Sequence, residues 1–112
     1  MKVSKETARH YVWGGDCDGW PLLETDSLSV VEERIPAGGG EVMHYHEKAQ
    51  QFFFVLDGEA MFESDGVTTT VQKGEGYHVR PGARHLIRNL GTEDLHFLVV
   101  SQPRSHGDRV NV

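Results

Sequence analysis

A chain of 112 residues with a formal charge of −6 is the size of one domain, long enough to withdraw about two-thirds of its unfolded surface into a single core. Its basic residues are scattered rather than clustered, which argues against a nucleic-acid partner. No apolar run approaches a membrane span, and the single cysteine, Cys17, excludes an internal disulfide. The polar stretch Met1–Glu6 carries no apolar targeting segment, so a cytoplasmic location is expected. Cys17 is expected to be a packing residue rather than a reactive thiol.

In chain order, Ser4–His10 suits a short helix with Ser4 as its N-cap. The rest of 1–26 is expected to be an extension that packs on the body of the protein or on a partner subunit. From there the dominant period is two, broken by glycine turns, the pattern of an antiparallel sandwich or barrel. Strands are expected near Ser27–Ile35, Glu41–His46, Gln51–Asp57, Glu59–Ser64, Val67–Gln72, Gly76–Val79, His85–Asn89 and Leu95–Gln102. Asp57-Gly58 and Asp65-Gly66 are hairpin signals. Residues 27–102 form the expected all-β core, and 103–112 an exposed tail to which no chemistry is assigned.

His44 and His46 are the most informative pair. Residues at i and i+2 on a strand share a face, so both imidazoles can converge on one ion. The spacing around them is Gly38-x5-His44-x-His46-x4-Gln51-x6-Gly58, and later Gly74-x5-Arg80-Pro81-Gly82-x2-His85-x3-Asn89. Together these segments resemble the two motifs of the cupin superfamily, Gly-x5-His-x-His-x3/4-Glu-x6-Gly and Gly-x5-Pro-x-Gly-x2-His-x3-Asn. Gln51 stands where the family usually has a metal-binding glutamate, and Arg80 where it usually has a proline. The resemblance implies a jelly-roll barrel, the double-stranded β-helix. It also implies one divalent transition metal per chain, held by His44, His46, Gln51 and His85. Imidazole-rich ligand sets suit Zn, Fe, Ni, Mn or Cu and do not choose among them.

Three imidazoles and an amide leave a divalent ion its full charge, where a glutamate would reduce it. The ion is then a stronger Lewis acid and draws anionic or polyhydroxylated ligands. Gln51 has to offer its carbonyl oxygen, leaving its NH2 in need of an acceptor. The ligand set resembles that of small cupins acting on unsaturated uronate sugars, but their acidic residue on the last strand has no counterpart in Phe97–Ser101. Tyr77 and Arg80, flanking the second motif, are the expected catalytic residues, a proton carrier and an anion clamp.

Three functions fit these residues: a metal-dependent isomerase, lyase or cyclase on a small oxygenated metabolite; a metal-dependent dioxygenase; and a non-catalytic small-ligand binder. A titratable side chain within proton-transfer reach of the ligand separates the first from the third. If Gln51 points inward, Phe53 and Val55 follow it, while Phe52, Phe54 and Leu56 face outward and need cover. Tyr11, Trp13 and Trp20 are the cover available within the chain, and a homodimer in which N-terminal strands or sheet faces meet is the preferred source of it, in line with the family resemblance.

Overall fold

The structure, a computed structural model, describes residues 1–112. It is all β, with two antiparallel sheets and no helix. The strands are β1 (Tyr11–Trp13), β2 (Cys17–Glu24), β3 (Ser29–Ile35), β4 (His44–His46), β5 (Gln50–Asp57), β6 (Glu59–Ser64), β7 (Val67–Gln72), β8 (Gly76–Val79), β9 (His85–Arg88), β10 (Leu95–Gln102) and β11 (Arg109–Asn111). One sheet runs β1-β2-β3-β10-β5-β8 and the other β11-β4-β9-β6-β7. Crossing between sheets along the chain gives the expected jelly roll.

The alternation predicted for β5 is present. Gln51, Phe53 and Val55 are buried, while Phe52 is exposed and Phe54 and Leu56 lie half-buried. Inward positions of both sheets meet in a core whose centre is Ile35, Val55, Phe62, Ile87, Leu95 and Phe97, all essentially inaccessible. Cys17 joins it, and burial pushes its thiol up to about 11, as a packing residue requires.

The motif residues that do not touch the site hold the barrel's corners. Asn89 donates from Nδ2 to the carbonyls of Ile35 (2.9 Å) and Glu93 (2.7 Å), and its Oδ1 accepts from the Gly91 N–H. One buried amide thus ties three segments of chain. Gly58 sits at φ 85° with the Asp94 carbonyl 2.7 Å from where a Cβ would stand, so a side chain here meets both strain and backbone.

Three expectations need correction. Ser4–His10 makes a single turn closed on the Ser4 carbonyl, not a helix, because the chain is drawn off at once into β1. The N-terminal extension is two strands that lengthen the first sheet, joined by a Gly14-Gly15 turn at positive φ. Its aromatics therefore do not cover Phe52 and Phe54. Trp13 packs on the core and Tyr11 lies on the inner face, reaching Glu33. Trp20 faces outward beside His10 and Lys5, with β3 and β10 between it and β5, and Phe52 stays 44% exposed.

The third correction concerns the tail, whose residues 109–111 are exposed as expected but are not without structure. Residues 109–111 form β11, paired with β4 in the register Arg109↔His46 and Asn111↔His44. Paired residues share a face, so this register turns Arg109 toward the interior beside the histidines. Asp108 fastens the strand by accepting from the backbone N–H groups of Glu47 (3.1 Å), Lys48 (3.0 Å) and Ala49 (2.9 Å). Asp108→Ala is expected to lower stability by about 2 kcal/mol, the worth of three charge-assisted bonds at a half-buried site. It should also raise hydrogen exchange at 109–111 selectively; unchanged protection there would mean that β11 is held by something else.

Candidate metal centre

Three strands deliver the four expected ligands. β4 carries His44 and His46 on one face, β9 begins at His85 and pairs with β4 through His44↔His85, and β5 brings Gln51 from the opposite sheet. All four side chains are buried. One nitrogen of each of His44, His46 and His85 lies within 4.8 Å of the others, a spacing one ion can bridge.

The hydrogen bonds determine which atoms are left free. His44 Nδ1 donates to the Val42 carbonyl (2.8 Å) and His85 Nδ1 to that of Ala83 (2.9 Å). A carbonyl only accepts, so both Nδ1 atoms carry the proton and both Nε2 atoms keep a lone pair. Gln51 Nε2 donates to Ser101 Oγ (3.0 Å), the acceptor its amide requires, and Oε1 stays free. Four buried side-chain polar atoms in the whole chain have no partner: Glu41 Oε1, His46 Nδ1, Gln51 Oε1 and His85 Nε2. All four belong to residues of this one site. Burying an unpaired polar atom costs about 1–3 kcal/mol, so four in one place point to a group that satisfies them together. The donor set of imidazoles and an amide oxygen fits a divalent transition ion.

Burial holds the three imidazoles neutral and ready to donate a lone pair. It depresses His44 to about 3, against the Val42 hydrogen bond, with the neighbouring His85, Arg109 and His46 adding to it. Burial likewise lowers His46 and His85.

Sequence reasoning missed the site's carboxyls. Glu41 Oε1 lies 3.9 Å from His44 Nε2 with its side chain 11% exposed, and Oε2 is 3.8 Å from Arg109 Nη1. Burial pushes it up to about 8, helped by Glu33. Glu33 is raised to about 7 by burial, opposed by the Tyr11 hydroxyl that donates to it at 3.3 Å. A cavity of about 300 Å³ is bordered by these two carboxyls, His44, His46, Gln51 and Arg109.

Tyr77 and Arg80 are not brought to that cavity. Tyr77 points inward beside Phe53, but its ring stacks on Phe62 (centroids 4.2 Å apart, 9° between planes) and fills the core. Arg80 is exposed and makes no ion pair. The acid and cation that border the cavity are Glu41 and Arg109. Of the residues missed, Glu33 alone left a signal, since it shares parity with the inward Ile35 and Val31.

The shifted groups give the metal-free protein a defined pH dependence. Imidazoles lowered from 6.5 remove stability as pH falls below 6.5, and carboxyls raised from 4.5 remove it as pH rises above 4.5. Between 6.5 and 8 the raised carboxyls act alone, and below 4.5 the imidazoles act, joined at lower pH by the lowered carboxyls of Asp18 and Asp108, which remove stability in the same direction. Urea midpoints of the metal-free protein are therefore expected to be highest between pH 4.5 and 6.5 and to fall toward pH 8; a midpoint rising from 6.5 to 8 would contradict these shifts.

Residues 31–101 match the family model described as Cupin domain. The chain belongs to the cupin family. This cupin is 30% identical over 81 residues to an uncharacterized protein of Methanocaldococcus jannaschii (71% of this chain, 65% of that one). It is 31% identical over 67 residues to an oxalate-binding protein of Thermotoga maritima (60% and 55%). It thus spans less than two-thirds of the length of either relative. Among solved structures, a predicted oxalate decarboxylase from T. maritima superposes with a TM-score of 0.85 at 23% identity, covering 93% of this cupin and all of that chain. KdgF from Halomonas sp. gives 0.85 at 17%, covering 93% and 95%. The polyketide cyclase RemF from Streptomyces resistomycificus gives 0.85 at 21%, covering 100% and 84%. At these identities the superpositions establish the fold alone.

Proposed function

We propose that this cupin is a metal-dependent enzyme acting on a small oxygenated metabolite of the sugar or sugar-acid kind, by isomerisation, elimination or cyclisation. The observation that carries this reading is that the unpartnered buried side-chain polar atoms of the chain all belong to the histidine cluster and its neighbours Gln51 and Glu41, beside a cavity bordered by two carboxyls and one guanidinium. His44, His46, His85 and Gln51 would hold a divalent transition ion. Such an ion, when bound, supplies Lewis-acid polarisation of a substrate oxygen.

The rest of the chemistry belongs to the chain. In the metal-free protein burial holds the Glu41 carboxyl up to about 8, and a carboxyl at the ligand cluster is placed to move a proton as general acid or base. Its placement 3.9 Å from His44 Nε2 puts that proton beside the ligand atoms. Arg109, the cation of the inner cavity, would orient a substrate carboxylate. The Thermotoga oxalate-binding relative favours a second reading, a small-carboxylate binder without catalysis. Proton carriers at the site favour the enzyme. The exposed Phe52 on the outer face of the six-stranded sheet supports a homodimer as part of the same proposal.

Solvent exchange tests the proposal. Zinc- or nickel-loaded protein in D2O, given a panel of keto and unsaturated sugar acids, is expected to place deuterium on a carbon beside the carbonyl or to turn the substrate over. Glu41→Gln should reduce that rate on the order of 100-fold while keeping the metal. Oxygen consumption in its place would establish the oxygenase, and binding with no exchange the non-catalytic reading.

A further inference from the structure

A second hollow of about 360 Å³ adjoins the metal cavity, and Tyr11, Ser29, Val31, Ser105 and His106 border both. The floor of the pair is the inner face of β3, where Ser29, Val31 and Glu33 follow one another at period two, with Tyr11 laid across Gly19 to reach Glu33. The side is the 103–108 segment, whose course is fixed by Asp108 and by the Arg104 N–H donating to the Asp26 carbonyl. The outer hollow has two guanidiniums in its wall, Arg9 and Arg104, and one carboxylate, Glu24. Arg9 is spoken for, since its Nη2 lies 2.5 Å from Glu24 Oε1 and its guanidinium stacks over Tyr11 at 5.5 Å. Arg104 is half-buried and pairs with no carboxylate. Arg104 is thus a half-buried cation in the wall of a hollow, free to meet an anion there.

We infer that the two hollows form one elongated substrate groove, in which the metal cavity takes an oxygen-rich head and Arg104 takes a carboxylate or phosphate at the far end of the same molecule. The inference rests on the metal site proposed above and narrows its substrate class. A compound that only chelates the ion leaves the outer hollow empty, so the favoured substrate is a chain or ring acid bearing a second, distal anionic group. Arg104 is then a specificity residue, with no part in the reacting centre. Its loss should remove the advantage of the distal group and leave the head untouched.

A series of α-hydroxy acids that share one chelating end separates these contributions. Glycolate, malate, 2-hydroxyglutarate, 2-hydroxyadipate and 3-phosphoglycerate would be titrated calorimetrically into nickel-loaded protein and into Arg104→Ala loaded to the same metal content. At least one acid with a distal anion is expected to bind wild type about tenfold or more tightly than glycolate, an advantage lost in Arg104→Ala while glycolate binds both proteins equally. The phosphate arm against the carboxylate arms tells which distal group the groove prefers. If no distal anion improves on glycolate, or if the advantage survives in Arg104→Ala, the groove is refuted and the metal site stands. If glycolate itself fails to bind, or nickel is not taken up, the metal reading falls and this inference with it.

Discussion

Replacing His85 by alanine is expected to reduce metal affinity by more than the 10- to 100-fold typical of losing an outer partner of a ligand, so that dialysed protein retains only a small fraction of its ion. His85 is the one ligand delivered by β9, is fully buried, and has its Nδ1 committed to the Ala83 carbonyl. The change also removes an unpaired buried nitrogen, so the metal-free variant should lose less stability than an ordinary cavity mutant, for which about 2–5 kcal/mol is usual. Metal analysis and urea melts on the same preparation read both effects. Full occupancy in the variant would mean that the site is misplaced.

The second large effect concerns charge. Gln51→Glu should keep the ion but weaken the binding of anionic ligands about tenfold or more. A unit charge about 4 Å from another interacts by about 4 kcal/mol at an effective dielectric of 20, whereas a tenfold change takes about 1.4 kcal/mol, so even a heavily screened carboxylate suffices. The local structure tolerates the change. Ser101, which accepts from the Gln51 amide, can turn its hydroxyl and donate to a carboxylate. Calorimetry with oxalate on metal-loaded wild type and variant reads the effect, and tighter binding by the variant would defeat the charge argument.

The parts of the site that were legible in the sequence are those governed by strict alternation. His44 and His46 share a face because β4 is a regular strand, and Gln51 joins Phe53 and Val55 inside because β5 is one too. Glu41 was hidden for the opposite reason. A strand running Glu41–His46 would place it, three residues from His44, on the other face. In the structure β4 starts only at His44; the chain before it is irregular after the bridge of Gly40 to Arg88, and this frees Glu41 to turn inward. The tail was unreadable for a related reason. Three residues, Arg109–Asn111, carry no period, and what makes them a strand is Asp108 gripping the backbone of 47–49, a contact about 60 residues away in sequence. Long-range capping of that kind leaves no local signature.

The outer face shows the same limit. Sequence parity correctly turned Phe52 outward, but it could not say that β2 and β3 would lead the N-terminal aromatics away from it. Which strand neighbours which is decided by the fold as a whole, and the two hollows that meet along Tyr11, Ser29 and Val31 are a product of that order.

Anomalous diffraction from tag-free crystals soaked in zinc or nickel tests the metal site most directly. One peak per chain is expected, within about 2.0–2.3 Å of His44 Nε2, His85 Nε2, a His46 nitrogen and Gln51 Oε1. Metal-soaked crystals with no peak among those atoms, or with the ion bound elsewhere while His85 stays apart, would contradict it.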